Sequence, residues 1–163
     1  MYDRFASSLL AVCTRYMGDR DDAEDVLHDA FLKIFDRLDR FEYRSDAELA
    51  GWIRKVTVNH CLDLLRKRRL KQVPLEAVTN LPSDEEPDEG QVRKIPPGVL
   101  MKMVSCLPDG YRTVFNLYCF EGWSHKEIGR SLGIGEKSSS SQYSRARALL
   151  AKKIKEYRNE TEG

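Results

Sequence analysis

Between residues 137 and 145 the chain gathers side chains suited to hydrogen bonding rather than to making or breaking bonds. Lys137, Ser138, Ser140, Ser141 and Gln142 form a polar, donor-rich run, and Arg145 follows one helical turn further along. Serine hydroxyls and a glutamine amide can bond base edges or phosphates, while lysine and arginine supply charge. The same residues also read as a serine-rich, solvated helix start or a loop. No other cluster competes as chemistry. The sequence has no paired-carboxylate metal motif, glycine-rich phosphate loop or Cys/His nucleophile pair, and His28, His60 and His125 stand isolated, as expected of surface or capping residues. Catalytic residues, a bound metal and a cofactor are therefore not expected.

A helix must hold this run at a groove. Ser124 can cap a helix N-terminus with Glu127 three residues on, and Ile128 and Leu132 recur at helical spacing. Gly133 then supplies a residue at ease with positive φ, and Glu136 to Ser139 restart a second helix with apolar Tyr143, Ala146, Leu149, Leu150 and Ile154. Two helices across a three- to four-residue turn are the helix-turn-helix plan, whose second helix enters the major groove.

The formal charge of +1 over 163 residues conceals a pattern. Residues 1–53 are net −5, 54–73 net +6, 74–92 net −6 and 93–163 net +6. Two basic blocks separated by an acidic connector suit a protein that touches a polyanion at two places, against the plainer reading of charged helical surface. Cys13, Cys61, Cys106 and Cys119 are dispersed among apolar residues, which favours reduced, partly buried thiols over a zinc site or a disulfide framework. No apolar run reaches membrane-span length and no signal-peptide core is visible, so a soluble, cytoplasmic protein without direct membrane insertion is expected. An amphipathic pattern begins within a few residues of Met1, so a natural start further upstream would fit equally well.

Phe5, Leu9, Val12, Cys13, Tyr16 and Met17 share the face of a first helix that ends at Gly18. After an acidic turn at Asp19 to Asp22, the apolar stripe Ala23, Val26, Leu27, Ala30, Phe31, Ile34 and Phe35 marks a second helix. Its other face carries Glu24, Asp25, His28, Asp29, Lys33 and Asp36, carboxylates that either complement the helix dipole or dock a basic partner. Phe41 and Tyr43 lie in a polar segment, where they either stack unpaired bases or fold back onto the core. Leu49, Trp52, Ile53, Val56, Cys61, Leu64 and Leu65 mark a third helix running into Arg66, Lys67, Arg68, Arg69 and Lys71, more cations than dipole capping requires. Asn59 and Asp63 add polar groups to it. Residues 74–96 are acidic and proline-rich, a flexible linker in composition. Two further helices, Val99 to Leu107 and Tyr111 to Phe120, flank Pro108-Asp109-Gly110 and need the helix-turn-helix to bury their apolar faces. The fold expected is all-α: two small helical domains, 1–73 and 97–163, joined by the flexible linker 74–96.

Three segments, DRDDAEDVLHDAFLKIFDRL at 19–38, GWIRKVTVNHCLDLLRKRR at 51–69, and the long run from Leu107 to Ile154, resemble the sigma-70 family of bacterial transcription initiation factors, in its small extracytoplasmic-function (ECF) group. The resemblance implies sigma region 2 at the N-terminus and region 4 at the C-terminus, core RNA polymerase and promoter DNA as partners, and control by an anti-sigma factor, often one held at the membrane. It makes Glu24, Asp25, Asp29 and Lys33 polymerase contacts. Phe41, Tyr43 and Arg44 fall in the loop that captures an unstacked base of the -10 element, and Asn59, Asp63, Arg66 and Arg69 on the helix facing that element. Lys137, Ser138, Ser140, Ser141, Arg145 and Arg147 become contacts to the -35 element. Ser140 departs from the Lys or Arg often found there, so phosphate or guanine contacts at that position would be weaker or taken over by neighbouring side chains. Two other readings use the same residues: a repressor or activator that binds an operator alone as a dimer, and an enzyme acting on nucleic acid. The first lobe, without ligand-pocket or phosphoacceptor pattern, weighs against the former, and the missing catalytic motifs weigh against the latter.

Overall fold

The computed structural model describes residues 2–69 and 95–162. Its contacts divide the chain into two compact units, residues 1–72 and 73–163. The acidic stretch read as a linker lies, but for Ile95 and Pro96, outside the described residues.

The first unit is a three-helix bundle of α1 (Tyr2–Met17), α2 (Arg20–Arg37) and α3 (Asp46–Arg69), each packing on the other two. Gly18, at φ 82°, turns the chain out of α1, and Asp19 caps α2 by accepting the Asp21 N–H at 3.2 Å. The acidic turn expected at Asp19 to Asp22 is thus a cap and the first turn of α2, with Asp21 and Asp22 where the dipole favours them. Tyr16, Ile34, Ile53 and Leu62 fill the core. Phe35, placed by periodicity on the buried stripe, is 48% exposed beside Leu32 at 57%. A 3₁₀ turn, Leu38–Arg40, follows α2, and Ser45 starts α3 by accepting the Glu48 N–H at 3.2 Å.

The second unit contains α4 (Pro97–Ser105), α5 (Asp109–Cys119), α6 (His125–Leu132) and α7 (Glu136–Glu162). Val104, Leu107, Tyr111, Ala146 and Leu150 form its core, with Met103, Phe115 and Leu149 against it. Arg112, 4% exposed, holds the α4–α5 corner: it pairs with Asp109 and donates to the Leu107 carbonyl at 2.8 Å and the Ser105 carbonyl at 3.4 Å. Tyr118 and Phe120, expected on the buried face of α5, are 40% and 44% exposed. They build an aromatic cluster at the surface instead.

Candidate nucleic-acid interface

Local chemistry forms the α6–α7 corner as the sequence suggests. The Ser124 hydroxyl accepts the Glu127 N–H at 3.1 Å and meets the Glu127 carboxylate at 3.2 Å, so the cap closes through the hydroxyl. Gly133 adopts φ 70°, the left-handed conformation that ends α6 at low strain. The turn folds back so closely on α6 at Gly129 that an added Cβ would stand 2.7 Å from the Ile134 carbonyl oxygen, while the Ile134 N–H bonds the Gly129 carbonyl at 2.9 Å. The turn is therefore tight and fixed by backbone contacts.

At about 100° per residue, Lys137, Ser141, Arg145 and Ser138 fall on one continuous arc of α7. Lys137, Ser138 and Ser141 are exposed and Arg145 is half-buried. Ser140 and Arg147 lie beside that arc, with Ser140 exposed and the Arg147 guanidinium 5.6 Å from the Tyr143 ring centroid. Gln142 departs from the outward-facing reading: it is half-buried, and its side-chain oxygen is buried without a hydrogen-bond partner. Ser139, on the opposite side of the helix, is 0% exposed.

His125 is not isolated. Its Nδ1 lies 2.9 Å from the Ser139 hydroxyl, and its ring stacks on Tyr118 at 4.5 Å and 10°. Tyr118 in turn meets Tyr143 at 4.4 Å, whose hydroxyl lies 3.3 Å from the Cys119 sulfur. Burial pushes both the Cys119 thiol and the Tyr143 phenol up from their ordinary values. No linear signal marks this network, because its members sit on three helices and alternate between polar and aromatic types. Cys106 and Cys119 are exposed rather than partly buried, whereas Cys13 and Cys61 are buried.

In the first unit Asn59, Asp63 and Arg66 share one side of α3, with Asp63 bonded to Arg66 at 2.8 Å. Lys55 stands on the same side by spacing and is exposed, a cation that sequence reasoning passed over because it lies outside the basic run. The backbone of Arg69 ends α3. Phe41 does not stand free: it is half-buried and stacks on Trp52 at 4.8 Å and 27°. Tyr43 is 61% exposed and donates to Asp46 at 2.5 Å, a bond that raises the Tyr43 phenol and lowers the Asp46 carboxyl. Arg44 pairs with Glu42 at 3.6 Å across exposed surface.

The carboxylates of α2 also find a setting. Asp25 and Asp29 are exposed and border, with Asp22, Met17, Val26, Leu64, Lys67 and Arg68, a cavity of about 280 Å³. Arg68 reaches across from α3 to Asp22 at 2.7 Å, tying the basic end of α3 to α2. Glu24 is exposed and pairs with Arg20 at 3.4 Å, while Lys33 is half-buried. His60, expected at the surface, is 8% exposed with neither ring nitrogen hydrogen-bonded. Burial and the nearby Lys33 lower its pKa. Among the described residues no group of three or more His, Cys, Asp or Glu could hold a metal, and no helix is long and apolar enough to cross a membrane.

Among the described residues, a three-helix bundle and a four-helix unit ending in a helix-turn-helix define the class. Sigma-70 region 2 matches residues 1–71 and Sigma-70, region 4 matches residues 98–150, so the chain belongs to the sigma-70 family. It is 26% identical over 160 residues to the ECF RNA polymerase sigma factor SigE of Mycolicibacterium smegmatis, covering 96% of this chain and 61% of that one. With SigM of Mycobacterium tuberculosis the identity is 30%, over 81% of this chain and 64% of the relative. The chain thus spans less than two thirds of the length of these relatives. It spans 87% of the Bacillus subtilis ECF factor SigW, at 24% identity. Among solved structures the sigma factor RpoE of Bartonella quintana, crystallised with the anti-sigma factor NepR, shares the fold at a TM-score of 0.54, 22% identity and 94% coverage of both chains.

Proposed function

We propose that this chain is an ECF-type sigma factor: a transcription initiation factor, not an enzyme, that binds core RNA polymerase and directs it to promoters with two DNA elements. The observation that carries this reading is a helix-turn-helix with Lys137, Ser138, Ser141 and Arg145 on one outward arc, in a chain matching both sigma regions. In this reading α7 reads the -35 element, with Ser140 and Arg147 flanking the arc. Asn59, Asp63, Arg66, Arg69 and the added Lys55 face the -10 element, and Tyr43 and Arg44 present the exposed side of the loop that receives a flipped base. Phe41 serves that loop through its stack on Trp52 rather than as a free platform. Unstacking a base costs a few kcal/mol, which the pocket must offset. Glu24, Asp25, Asp29 and Lys33 form the polymerase-docking face of α2.

The domain assignment follows: residues 1–73 as region 2, 74–96 as the linker and 97–163 as region 4. An initiation factor works beside the chromosome, which places the protein in the cytoplasm. Control by an anti-sigma factor is the further part of the reading, supported by the complex in which the Bartonella quintana relative was crystallised. The test is abortive transcription from a promoter library by core polymerase, with and without the protein. Initiation that appears only with the protein, at a shared two-part motif, supports the reading. Equal initiation in both reactions would sink it.

A further inference from the structure

Ser139 is an unexpected residue for its place. It lies on the buried side of α7's first turn, where an aliphatic side chain would remove more apolar surface from water, and a hydroxyl so placed needs a partner. His125 supplies it across the turn at 2.9 Å, and its own ring is held flat against Tyr118 at 4.5 Å. One turn further along α7, Tyr143 is held by Tyr118 at 4.4 Å and by the Cys119 sulfur at 3.3 Å. The inward face of α7 is therefore pinned at two successive turns, by directional contacts rather than by apolar packing alone.

Resting on the reading of α7 as the helix that meets the promoter, we propose that His125 and Ser139 are positioning residues that set the rotation of α7's first turn, and so which of its side chains face the bases. By helical spacing Ser139 lies about 180° around the axis from the midpoint of Lys137 and Ser141. A hydrogen bond at that point fixes rotation directly behind the reading face. With side chains about 5–6 Å from the axis, a rotation of about 20° moves their tips by about 2 Å, more than a base-edge hydrogen bond tolerates. Apolar contacts permit such a slip; a bond to a clamped imidazole does not. The pair thus acts on promoter selection without touching DNA.

The experiment uses the full chain with core polymerase and a promoter library randomised in the upstream element. H125F keeps an aromatic ring over Tyr118 and removes the hydrogen bond; S139A removes it from the other side; the double variant closes the cycle. Each single variant is expected to lower initiation from the best wild-type promoter roughly five- to tenfold, the worth of one hydrogen bond, and to reorder base preference at the positions facing Lys137 to Ser141. The double variant is expected to do no worse than either. Variants that rank promoters as the wild type does, or lose activity only in proportion to their unfolded fraction in a thermal melt, overturn the proposal. Absence of any selected motif with the wild-type protein would instead overturn the sigma-factor reading, and that result appears without a variant.

Discussion

Removing the Asp109 carboxylate should unfold the second unit far more readily than an ordinary helix-surface change. Arg112 is 4% exposed, and its charge is met by Asp109 and by the carbonyls of Leu107 and Ser105. D109A leaves a buried guanidinium without its carboxylate, and breaking such a pair costs about 3–5 kcal/mol. The Asp109 side chain is 25% exposed, so entering water softens the loss to about 2–3 kcal/mol. For a domain of this size that is a fall in Tm of roughly 10–20 °C. D109A/R112M should fall less than D109A, because no charge stays buried, while the freed Leu107 carbonyl still costs about 1–3 kcal/mol. The chain has two tryptophans, Trp52 and Trp123, one in each unit, so urea unfolding in a W52F background reports the second unit through Trp123 fluorescence. A D109A transition within about 0.5 kcal/mol of its parent would show that Arg112 is well solvated there and that the corner is held by something else.

S124A removes the α6 cap and should destabilise the second unit by about 1 kcal/mol in the same assay, whereas S124D should be nearly neutral. His60 gives the first unit a pH dependence of known sign. Its folded pKa lies below the ordinary 6.5, so the unfolded chain binds the proton first, and the stability held above that value is lost as pH falls through it. In a W123F background, Trp52 fluorescence melts at about pH 5.5 and 7.5 should differ, and differ less when H60F is added; an equal difference in both would assign the effect to other groups. Thiol labelling with a maleimide should proceed first at Cys106, then at Cys119, an exposed residue whose sulfur is turned in against Tyr143 and whose thiol pKa is raised by desolvation there, and last at buried Cys13 and Cys61. Fast labelling of Cys13 in the native protein would mean that the α1 face opens readily. R145A should weaken promoter binding and, if the guanidinium meets a phosphate, reduce the salt slope of binding by about one.

Much of the helical layout was legible because it is local. Ser124, Gly133 and the spacing of Ile128, Leu132 and Ala146 placed the helix-turn-helix within a residue or two, since caps and positive-φ glycines act within one turn. Burial of polar residues was not legible. Arg112, Ser139 and His60 look like surface residues by type, and only partners or packing on other helices explain why they sit inside. The converse failure has the same cause: Phe35, Tyr118 and Phe120 continue a helical apolar period beyond the edge of what their neighbours cover. Phe41 is intermediate: its type and place left open stacking on unpaired bases or folding back onto the core, and it lies half-buried against Trp52 of α3.

The measurement that bears most directly on the central claim is binding to a labelled two-element promoter by this protein alone, by core polymerase alone, and by both together, at two salt concentrations. The expected result is tight, promoter-specific binding by the mixture only, weakening as salt rises. Tight specific binding by the protein alone, unchanged by polymerase, would contradict it and favour a repressor that carries the same helix-turn-helix.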